Sequence, residues 1–256
     1  MSSKTNKNAV TIKNQIVEFV REYYKTNNLK GAVLGISGGK DSAVVAALMC
    51  EAIGAENVVG LTLPCHSKSK DARLAKKVAK RFGFRLINID LTKAFDALTD
   101  EINKTGIYTS EQKKNSDINL KPRLRMSTVY YMAALLSNTE SGVYIVPGTS
   151  NACELHVGYF TKGGDNVFDI GTICGLTVDE VIAVGEVLDV PREVLYRTPD
   201  DGLSGKSDEE KMGVKYVDIS KVVRGKKVAK KEYDKIEKLH KGSRHKFDVP
   251  KFELKK

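Results

Sequence analysis

Residues 31–48 read GAVLGISGGKDSAVVAAL, and this stretch decides the fold of the chain. It predicts a buried strand, a loop of small residues at 37–42 and an apolar helix that begins within that loop. Backbone N–H groups in the first turn of such a helix have no partners within the helix and lie at the positive end of its dipole. Because Gly38 and Gly39 carry no Cβ, an anion can approach this backbone closely. The stretch therefore predicts a phosphate-binding loop between a strand and a helix.

Asp41 places a carboxylate beside the predicted phosphate site. Two anions repel each other unless a divalent cation lies between them, so Asp41 predicts Mg²⁺ held by protein and phosphate together. The Walker pattern G-x-x-x-x-G-K-[ST] does not fit, because Gly35 and Gly39 have the wrong spacing to Lys40 and an aspartate follows that lysine. The loop instead resembles the SGGxDS pyrophosphate loop of the ATP pyrophosphatases. An ordinary strand-turn-helix corner is the alternative.

Apolar runs and helical periodicity alternate along the chain, which predicts an α/β fold. The strands are expected at 31–37, 57–64, 84–91 and 143–150, with a short fifth strand at 215–219, and the helices at about 8–27, 41–54, 69–82, 92–104, 121–138, 177–189 and 191–197. The strands are nearly continuous apolar runs, as expected when helices cover both faces of a sheet. We therefore predict a doubly wound, mostly parallel, five-stranded sheet.

The carboxyl ends of the predicted strands should share one rim of the sheet, where ligands bind in folds of this kind. Four candidates follow strands there: the loop 37–42, Leu63-Pro64, Asp90 and the stretch 148–151. Residues 105–120 and 161–176 are expected to be loops, and 200–212 a polar link, all three able to cover the site.

The length and composition of the chain favour a single domain that covers residues 1–256, with a basic C-terminal tail at about 221–256. The net charge is +10, and the tail holds 14 Lys/Arg against 5 Asp/Glu, so the rest is nearly neutral. Few aromatic residues accompany the tail lysines, which makes nucleic acid an unlikely partner. We expect a cytoplasmic protein without membrane spans, because no apolar run is long enough and residues 1–10 lack a signal-peptide core. The four cysteines have neither C-x-x-C nor zinc spacing, so we expect reduced packing residues.

A second group of candidates follows the fourth predicted strand. Thr149 stands at the strand end, and Glu154 lies five residues later, at or inside a helix. Asp41 and Glu154 can supply two carboxylates to one Mg²⁺, although an acid in a first helical turn also interacts favourably with the dipole. Upstream, Arg123 and Arg125 stand at i, i+2, so on a helix only one of them would point into the site.

Taken together, these pieces resemble the ammonia-dependent NAD⁺ synthetases. The motifs that carry the resemblance are ISGGKDSA at 36–43, N-x-x-x-R-x-R-M at 119–126, G-T-x-x-x-x-E at 148–154, G-Y-F-T-K at 158–162, Asp165, Asp169, S-D-E at 207–209 and His245-Lys246. The resemblance implies an adenine nucleotide α-hydrolase-like, Rossmann-like fold. It also implies amidation of deamido-NAD⁺ by ammonia, with ATP as co-substrate, Mg²⁺ as cofactor, and AMP and pyrophosphate released through an acyl-adenylate.

Particular site residues follow from the same resemblance. ATP contacts are implied for Gly35, Ile36, Ser37, Gly38, Gly39, Lys40, Asp41, Ser42 and Thr149. Mg²⁺ is implied on Asp41 and Glu154, and deamido-NAD⁺ contacts are implied for Arg123, Lys162, Asp169, His245 and Lys246. Asp41 is expected to act in catalysis, and Asp165 is the candidate base that takes a proton from ammonium. The family also implies a homodimer, and free ammonia as the nitrogen source.

Two positions depart from the family pattern. Val178 replaces a lysine and Asp200 replaces a serine or threonine, both at places that normally contact ATP phosphates. Lys206 or Lys211 could supply the missing positive charge. Two alternatives stay open: a tRNA-modifying or sulfur-transferring enzyme with the same loop, and a nucleotide-binding relative without catalysis. Intact Asp41 and Glu154 count against the second, and the lack of a C-x-x-C pair counts against the first.

Overall fold

The central sheet consists of parallel strands formed by the apolar runs of the sequence. The computed structural model of the chain describes residues 3–67, 69–197 and 207–254. Within them the sheet contains β1 (Leu29–Gly35), β2 (Val58–Thr62), β3 (Arg85–Asn88) and β4 (Val143–Ile145), in the order β3-β2-β1-β4. Ala32 lies opposite Val58 on one side of β1 and opposite Ile145 on the other. The loop after β1 therefore emerges near the middle of the sheet.

Helices connect the strands and complete the C-terminal half. They are α1 (Ser3–Thr26), α2 (Lys40–Ile53), α3 (Ser69–Phe82), α4 (Thr92–Asn103), α5 (Ser110–Thr139), α6 (Ala152–Val157), α7 (Val178–Val187), α8 (Arg192–Leu195), α9 (Asp208–Met212), α10 (Tyr216–Val223) and α11 (Lys230–Ser243). A 3₁₀ turn at Arg244–Lys246 follows α11.

Side chains of β1 alternate between the two faces of the sheet, as the strand period of two requires. Ala32 and Leu34 pack in a buried cluster with α1, α2, α3 and α7. Val33 faces the other way and joins a second cluster with α4 and α5, where Phe95 and Val129 are buried. Both faces of the sheet are thus covered, which confirms the doubly wound α/β fold.

The C-terminal helices form a third layer beside the rim of the sheet. Cys153 of α6 packs with Tyr216 and Ile219 of α10 and with Ile236 of α11. Burying a side chain such as Ile236 fully contributes about 1.5–3 kcal/mol. The middle of the predicted basic tail is therefore the packed helix α11, whose charged face points outward. This layer brings residue 246 back to the end of α6.

Three sequence expectations are wrong. Residues 215–219 are not a fifth strand: they begin α10, because Tyr216, Ile219 and Ser220 are buried at helical spacing. The sheet accordingly has four strands within the described residues, not five. Most of 105–120 is not a loop, because the Thr109–Gln112 capping box begins α5 there and the helix continues through Pro122.

The fourth predicted strand divides, and its end pairs elsewhere. β5 (Pro147–Gly148) runs parallel to β6 (Ile170–Gly171), a short strand inside the predicted loop 161–176. This pairing holds residues 149–169 as a folded excursion above the rim. In the described part of the chain, no helix combines the length and apolar character needed to cross a bilayer.

Candidate functional site

A cavity of about 700 Å³ opens at the carboxyl ends of β1 and β2. Its walls come from the loop at 35–41, the end of β2 at 61–64, one side of α5, the stretch 146–149 and the excursion up to Asp165. The strand-end rule therefore places the site correctly for three of its four candidates. Asp90 is the exception: its carboxylate accepts a hydrogen bond from the backbone N–H of Thr92 and does not line the cavity.

The phosphate loop is held in shape by its own hydroxyl groups. Ser37 and Ser42 are hydrogen-bonded through their Oγ atoms at 3.1 Å, and Ser37 Oγ also accepts from the N–H of Gly39 at 3.2 Å. Gly38 has a φ of +77°, and a Cβ there would lie 2.9 Å from the carbonyl oxygen of Asp71. Gly39 caps α2 without any side-chain hydrogen bond. The loop is thus preorganised, with the first turn of α2 available to an anion.

Three polar side chains converge next to this loop. Lys40 is buried and donates to Asp41 Oδ2 at 2.8 Å. Asn151, which is fully buried, donates from Nδ2 to Asp41 Oδ1 at 3.2 Å. Asn151 also caps α6, since its Oδ1 accepts from the N–H groups of Cys153 and Glu154. The carboxylate of Asp41 is thus fixed from both sides, and one residue joins it to the helix that carries Glu154.

Glu154 faces the same part of the cavity. Its Oε2 accepts from the N–H of Asn151 at 3.1 Å, which completes the capping box of α6. Burial raises the pKa of the Glu154 carboxyl well above its usual range, and the negative charge of Asp41 raises it further. Burial opposes the charge on Lys40, but Asp41 and Glu154 outweigh it and raise the pKa of that lysine. Two mutually repelling carboxylates, whose oxygens keep lone pairs beyond these hydrogen bonds, form a donor set that suits a hard divalent cation.

Asp165 is a third carboxylate that lines the cavity. The N–H of Thr161 donates to its Oδ1 at 2.8 Å, which closes the turn 161–165. The surrounding protein desolvates this carboxyl and raises its pKa, although the hydrogen bond and the charges of Lys246 and Arg125 act against the rise. An acid with a raised pKa is better suited to accept a proton near neutral pH.

The C-terminal segment reaches the cavity through Lys246. Its Nζ donates to the carbonyl oxygens of Gly158 and Phe160, each at 2.7 Å. Gly158 ends α6 with a φ of +67°, and a Cβ there would lie only 2.0 Å from Cβ of Ser243. The end of α11 therefore packs directly on the end of α6, and Lys246 fastens that contact.

Three further predicted residues form a cluster outside the cavity wall. Arg123 donates from Nε to the carbonyl oxygen of Lys162 at 3.2 Å, and Lys162 donates from Nζ to the carbonyl oxygen of His245 at 2.7 Å. The structure therefore brings Arg123, Lys162 and His245 together, next to Lys246. Asp169 lies apart from them: its carboxylate accepts from Tyr130 Oη at 3.0 Å and from the N–H of Val146 at 2.7 Å.

Sequence reasoning missed Arg197 and Lys121; it named Asn151 only within the stretch 148–151, and Arg125 only as one of two arginines of which one would point into the site. Asn151 has a local signal, because N-x-x-E before an apolar stretch resembles a capping box. Arg197 forms an ion pair with Asp71 at 2.7 Å and points toward the carbonyl oxygen of Gly38. Arg125 and Lys121 line the cavity from α5. No local pattern identifies Arg197 or Lys121, and none decides between Arg123 and Arg125, because tertiary packing decides which side chains meet the cavity.

Of the two positions that depart from the family pattern, the structure describes only Val178. Val178 is the first residue of α7 and packs against the third cluster, with Cys153 and Tyr216. Asp200 and Lys206 lie outside the described residues. Lys211 belongs to α9, and its ammonium is buried.

Comparisons with known proteins point to one family. A model of the NAD synthase family matches residues 12–250. The chain is 42% identical over 245 residues to the NH(3)-dependent NAD(+) synthetase of Alkaliphilus metalliredigens, covering 92% of this chain and 95% of that protein. It is 39% identical over 241 residues to the NH(3)-dependent NAD(+) synthetase of Alkaliphilus oremlandii, covering 92% and 94%. Among solved structures, it is similar to the NMN synthetase from Francisella tularensis, with a TM-score of 0.85, 31% identity and coverage of 96% and 98%.

Proposed function

The chain belongs to the NAD synthase family, and from that premise we propose which of its residues carry out the family's reaction. That reaction is the ATP-dependent amidation of deamido-NAD⁺ by ammonia, which gives NAD⁺, AMP and pyrophosphate. The observation that supports the assignment most is the convergence of the loop 37–42, Asp41 and Glu154 on one cavity. The alternatives of tRNA modification and of a non-catalytic relative have no comparable support.

ATP binds in this proposal at the amino end of α2. Backbone N–H groups of the loop, with the hydroxyls of Ser37 and Ser42, hold the β and γ phosphates as a future leaving group. Thr149, which lines the cavity across from the loop, contacts the same nucleotide. Arg197 lies near enough to the loop to add a positive charge beside the phosphates.

Mg²⁺ fits the pair of Asp41 and Glu154. The raised pKa of Glu154 reflects burial and the charge of Asp41, and a bound cation would remove that penalty. The described residues contain no group of three or more His, Cys, Asp or Glu side chains placed to hold a metal. Phosphate oxygens are therefore the natural source of the remaining ligands. When bound, Mg²⁺ neutralises the charge that develops on the departing pyrophosphate.

The chemistry needs alignment more than a protein nucleophile. The nicotinate carboxylate attacks the α-phosphorus of ATP, the bond from α-phosphorus to the bridging oxygen breaks, and an acyl-adenylate forms. The loop stabilises the leaving pyrophosphate. Ammonia then attacks the acyl carbon and AMP departs. Asp165 takes the proton from ammonium, and its raised pKa favours that role.

Deamido-NAD⁺ lies in this proposal along the Arg123, Lys162, His245 and Lys246 cluster, with Asp169 at its far end. The substrate is an anion with its own pyrophosphate, so the three cations Arg123, Lys162 and Lys246 have the complementary charge. The basic C-terminal segment serves this small anion in the proposal, with no nucleic acid or membrane partner.

We further propose one domain over residues 1–256, a homodimer and a cytoplasmic location. Exposed apolar side chains on α4 and α5 support the dimer: Leu98, Ile102, Ile118, Tyr131 and Leu135. Exposed apolar side chains on neighbouring helices are a common component of protein interfaces. The four free cysteines fit a reducing compartment.

The similarity to an NMN synthetase favours a second candidate substrate, nicotinic acid mononucleotide. It carries the same carboxylate, so the residues assigned above would perform the same chemistry on a smaller molecule. In that case the chain would have no site for the adenylyl half of deamido-NAD⁺.

The test is to supply ATP, Mg²⁺ and ammonium with either deamido-NAD⁺ or nicotinic acid mononucleotide and to measure kcat/KM for each. A higher kcat/KM with deamido-NAD⁺ and release of one AMP per NAD⁺ supports the first function. A higher value with the mononucleotide supports the second. No amide product from either, with tight tRNA binding instead, would overturn both.

A further inference from the structure

Lys121 is a buried lysine in the cavity wall that the proposed mechanism does not use. It lies on α5, and only 7% of its surface is exposed. It lines the cavity together with Arg125, one helical turn further along. Buried ammonium groups are rare unless a carboxylate, a set of acceptors or a ligand compensates their lost hydration.

The compensation for Lys121 within the protein is slight. Its Nζ lies 5.3 Å from the centre of the Phe95 ring, a weak cation-π contact. No carboxylate or carbonyl oxygen among residues 3–67, 69–197 and 207–254 accepts a hydrogen bond from it. By contrast, the buried Lys40 has Asp41, and Lys246 has two carbonyl oxygens. Lys121 is thus a cavity-facing cation whose donors are free within the described structure.

Arg125 adds a second positive charge nearby. It donates from Nε to the carbonyl oxygen of Leu63 at 3.2 Å, which fixes the guanidinium at the end of β2. Burial raises the pKa of the Cys65 thiol, while the charges of Lys121 and Arg125 act against this rise. Both cations therefore act on the same point, beyond the end of β2.

We propose that Lys121, assisted by Arg125, forms a second oxyanion-binding subsite in this cavity. The ammonium donates hydrogen bonds to a phosphate or carboxylate oxygen of a bound nucleotide, either ATP or deamido-NAD⁺. The inference rests on the proposed function for the identity of these two nucleotides. Its physical core is independent of turnover, because a cavity-facing cation without an acceptor in the protein is stabilised when an anion binds.

The test compares Lys121→Met with Lys93→Met as the matched control. Lys93 is exposed on α4, near the same region but outside the cavity wall. For each protein we would measure the thermal midpoint without ligand, its shift with ATP alone and with deamido-NAD⁺ alone, and the KM for both. Methionine fills nearly the same volume as lysine without its charge.

We expect Lys121→Met to unfold at the same or a higher temperature than the wild type. We also expect its KM for one nucleotide to rise by about tenfold, as for one lost charge-assisted hydrogen bond, and the thermal shift with that nucleotide to shrink. The nucleotide affected identifies the source of the oxyanion. Lys93→Met should match the wild type.

Two results would overturn the inference. One is a KM within twofold of the wild type for both nucleotides, whatever happens to kcat. The other is a lower thermal midpoint without ligand, because the ammonium would then stabilise the fold itself. If the thermal midpoint of the wild type rises with ATP but the protein makes no NAD⁺, the proposed function is contradicted. The comparison of Lys121→Met with the wild type in ATP binding still tests the inference.

Discussion

Asn151 donates a hydrogen bond from Nδ2 to Oδ1 of Asp41 at 3.2 Å, across 110 residues of sequence. The same side chain caps α6 through Oδ1, and its backbone N–H binds Glu154. One buried amide thus sets the position of both carboxylates proposed to hold Mg²⁺. The geometry of the metal site depends on a residue that is not itself a ligand.

Replacing Asn151 should therefore separate stability from activity. Asn151→Ala removes the cap and should lower the free energy of unfolding by about 1–2 kcal/mol. Asn151→Ser keeps a capping oxygen but lacks the amide donor that reaches Asp41, so it should unfold near wild-type denaturant concentrations and still lose kcat. Urea denaturation and steady-state kinetics measure the two effects.

Thr109→Ala is the control for that experiment. Thr109 caps α5 with a similar capping box and is exposed. The Thr109→Ala variant should have a lower free energy of unfolding, because it loses the cap, and an unchanged kcat. Equal losses of kcat in Thr109→Ala and Asn151→Ser would contradict the positioning role of Asn151.

Glu154→Gln should lower kcat without lowering the stability of the fold. The substitution removes a charge that burial and Asp41 make costly, so the thermal midpoint should stay the same or rise. Loss of a metal ligand should reduce kcat by about a hundredfold or more and weaken the dependence of ATP binding on Mg²⁺. Glu111→Gln, in the first turn of α5, is the control and should change neither. Mg²⁺-dependent ATP binding that survives in Glu154→Gln would remove Glu154 from the metal site.

Lys246→Met should affect one substrate more than the other. The variant loses two hydrogen bonds from a charged donor, so the free energy of unfolding should fall by about 1.5–3 kcal/mol. If the C-terminal segment contacts deamido-NAD⁺, the KM for that substrate should rise by about tenfold while the KM for ATP changes little. Lys241→Met, an exposed lysine of α11, is the control. An equal rise in both KM values would argue against a contact specific to deamido-NAD⁺.

The ion pair between Glu180 and Arg224 should make the stability of the fold decrease as the pH falls. Arg224 donates from Nε to Glu180 Oε1 at 2.9 Å and binds the other carboxylate oxygen through Nη2, joining α7 to the end of α10. Burial acts to raise the pKa of Glu180, but the hydrogen bond from Arg224 outweighs it and the pKa is lowered. A lowered pKa in the folded state contributes stability above the unfolded pKa, and that stability is lost as pH falls through the folded value.

Because the pair is partly exposed, its contribution should not exceed about 1 kcal/mol. The double variant Glu180→Gln, Arg224→Met should therefore lose less stability than the wild type between pH 6 and pH 3.5 in urea denaturation. If both proteins lose the same free energy of unfolding over this pH range, other carboxylates determine the loss of stability in acid.

The sequence predicts best those elements whose signal is local. The limits 69–82 of α3 are correct to the residue, because its periodicity is strong and Gly83 follows it. The phosphate loop is likewise determined by neighbouring residues. The strand predicted at 215–219 was wrong because three apolar residues among five fit either period, and packing against α6 and α11 favours a helix.

The site was predicted in part for the same reason. Asp41, Glu154 and Asp165 belong to short motifs, and all three line the cavity. Lys121, and the choice of Arg125 over Arg123 for the cavity wall, became visible only in the structure, because packing against the sheet decides which side of α5 is buried. The family expectation is confirmed, whereas the individual roles of its residues stay predictions for the experiments above.

The central claim is that the substrate carboxylate attacks the α-phosphorus of ATP. Deamido-NAD⁺ labelled with ¹⁸O in the nicotinate carboxylate, turned over with ATP, Mg²⁺ and ammonium, tests it directly. The account predicts one ¹⁸O in each AMP, one ¹⁸O retained in the amide of NAD⁺ and none in pyrophosphate, as mass spectrometry can measure. Unlabelled AMP, or release of ADP with labelled phosphate, would contradict it.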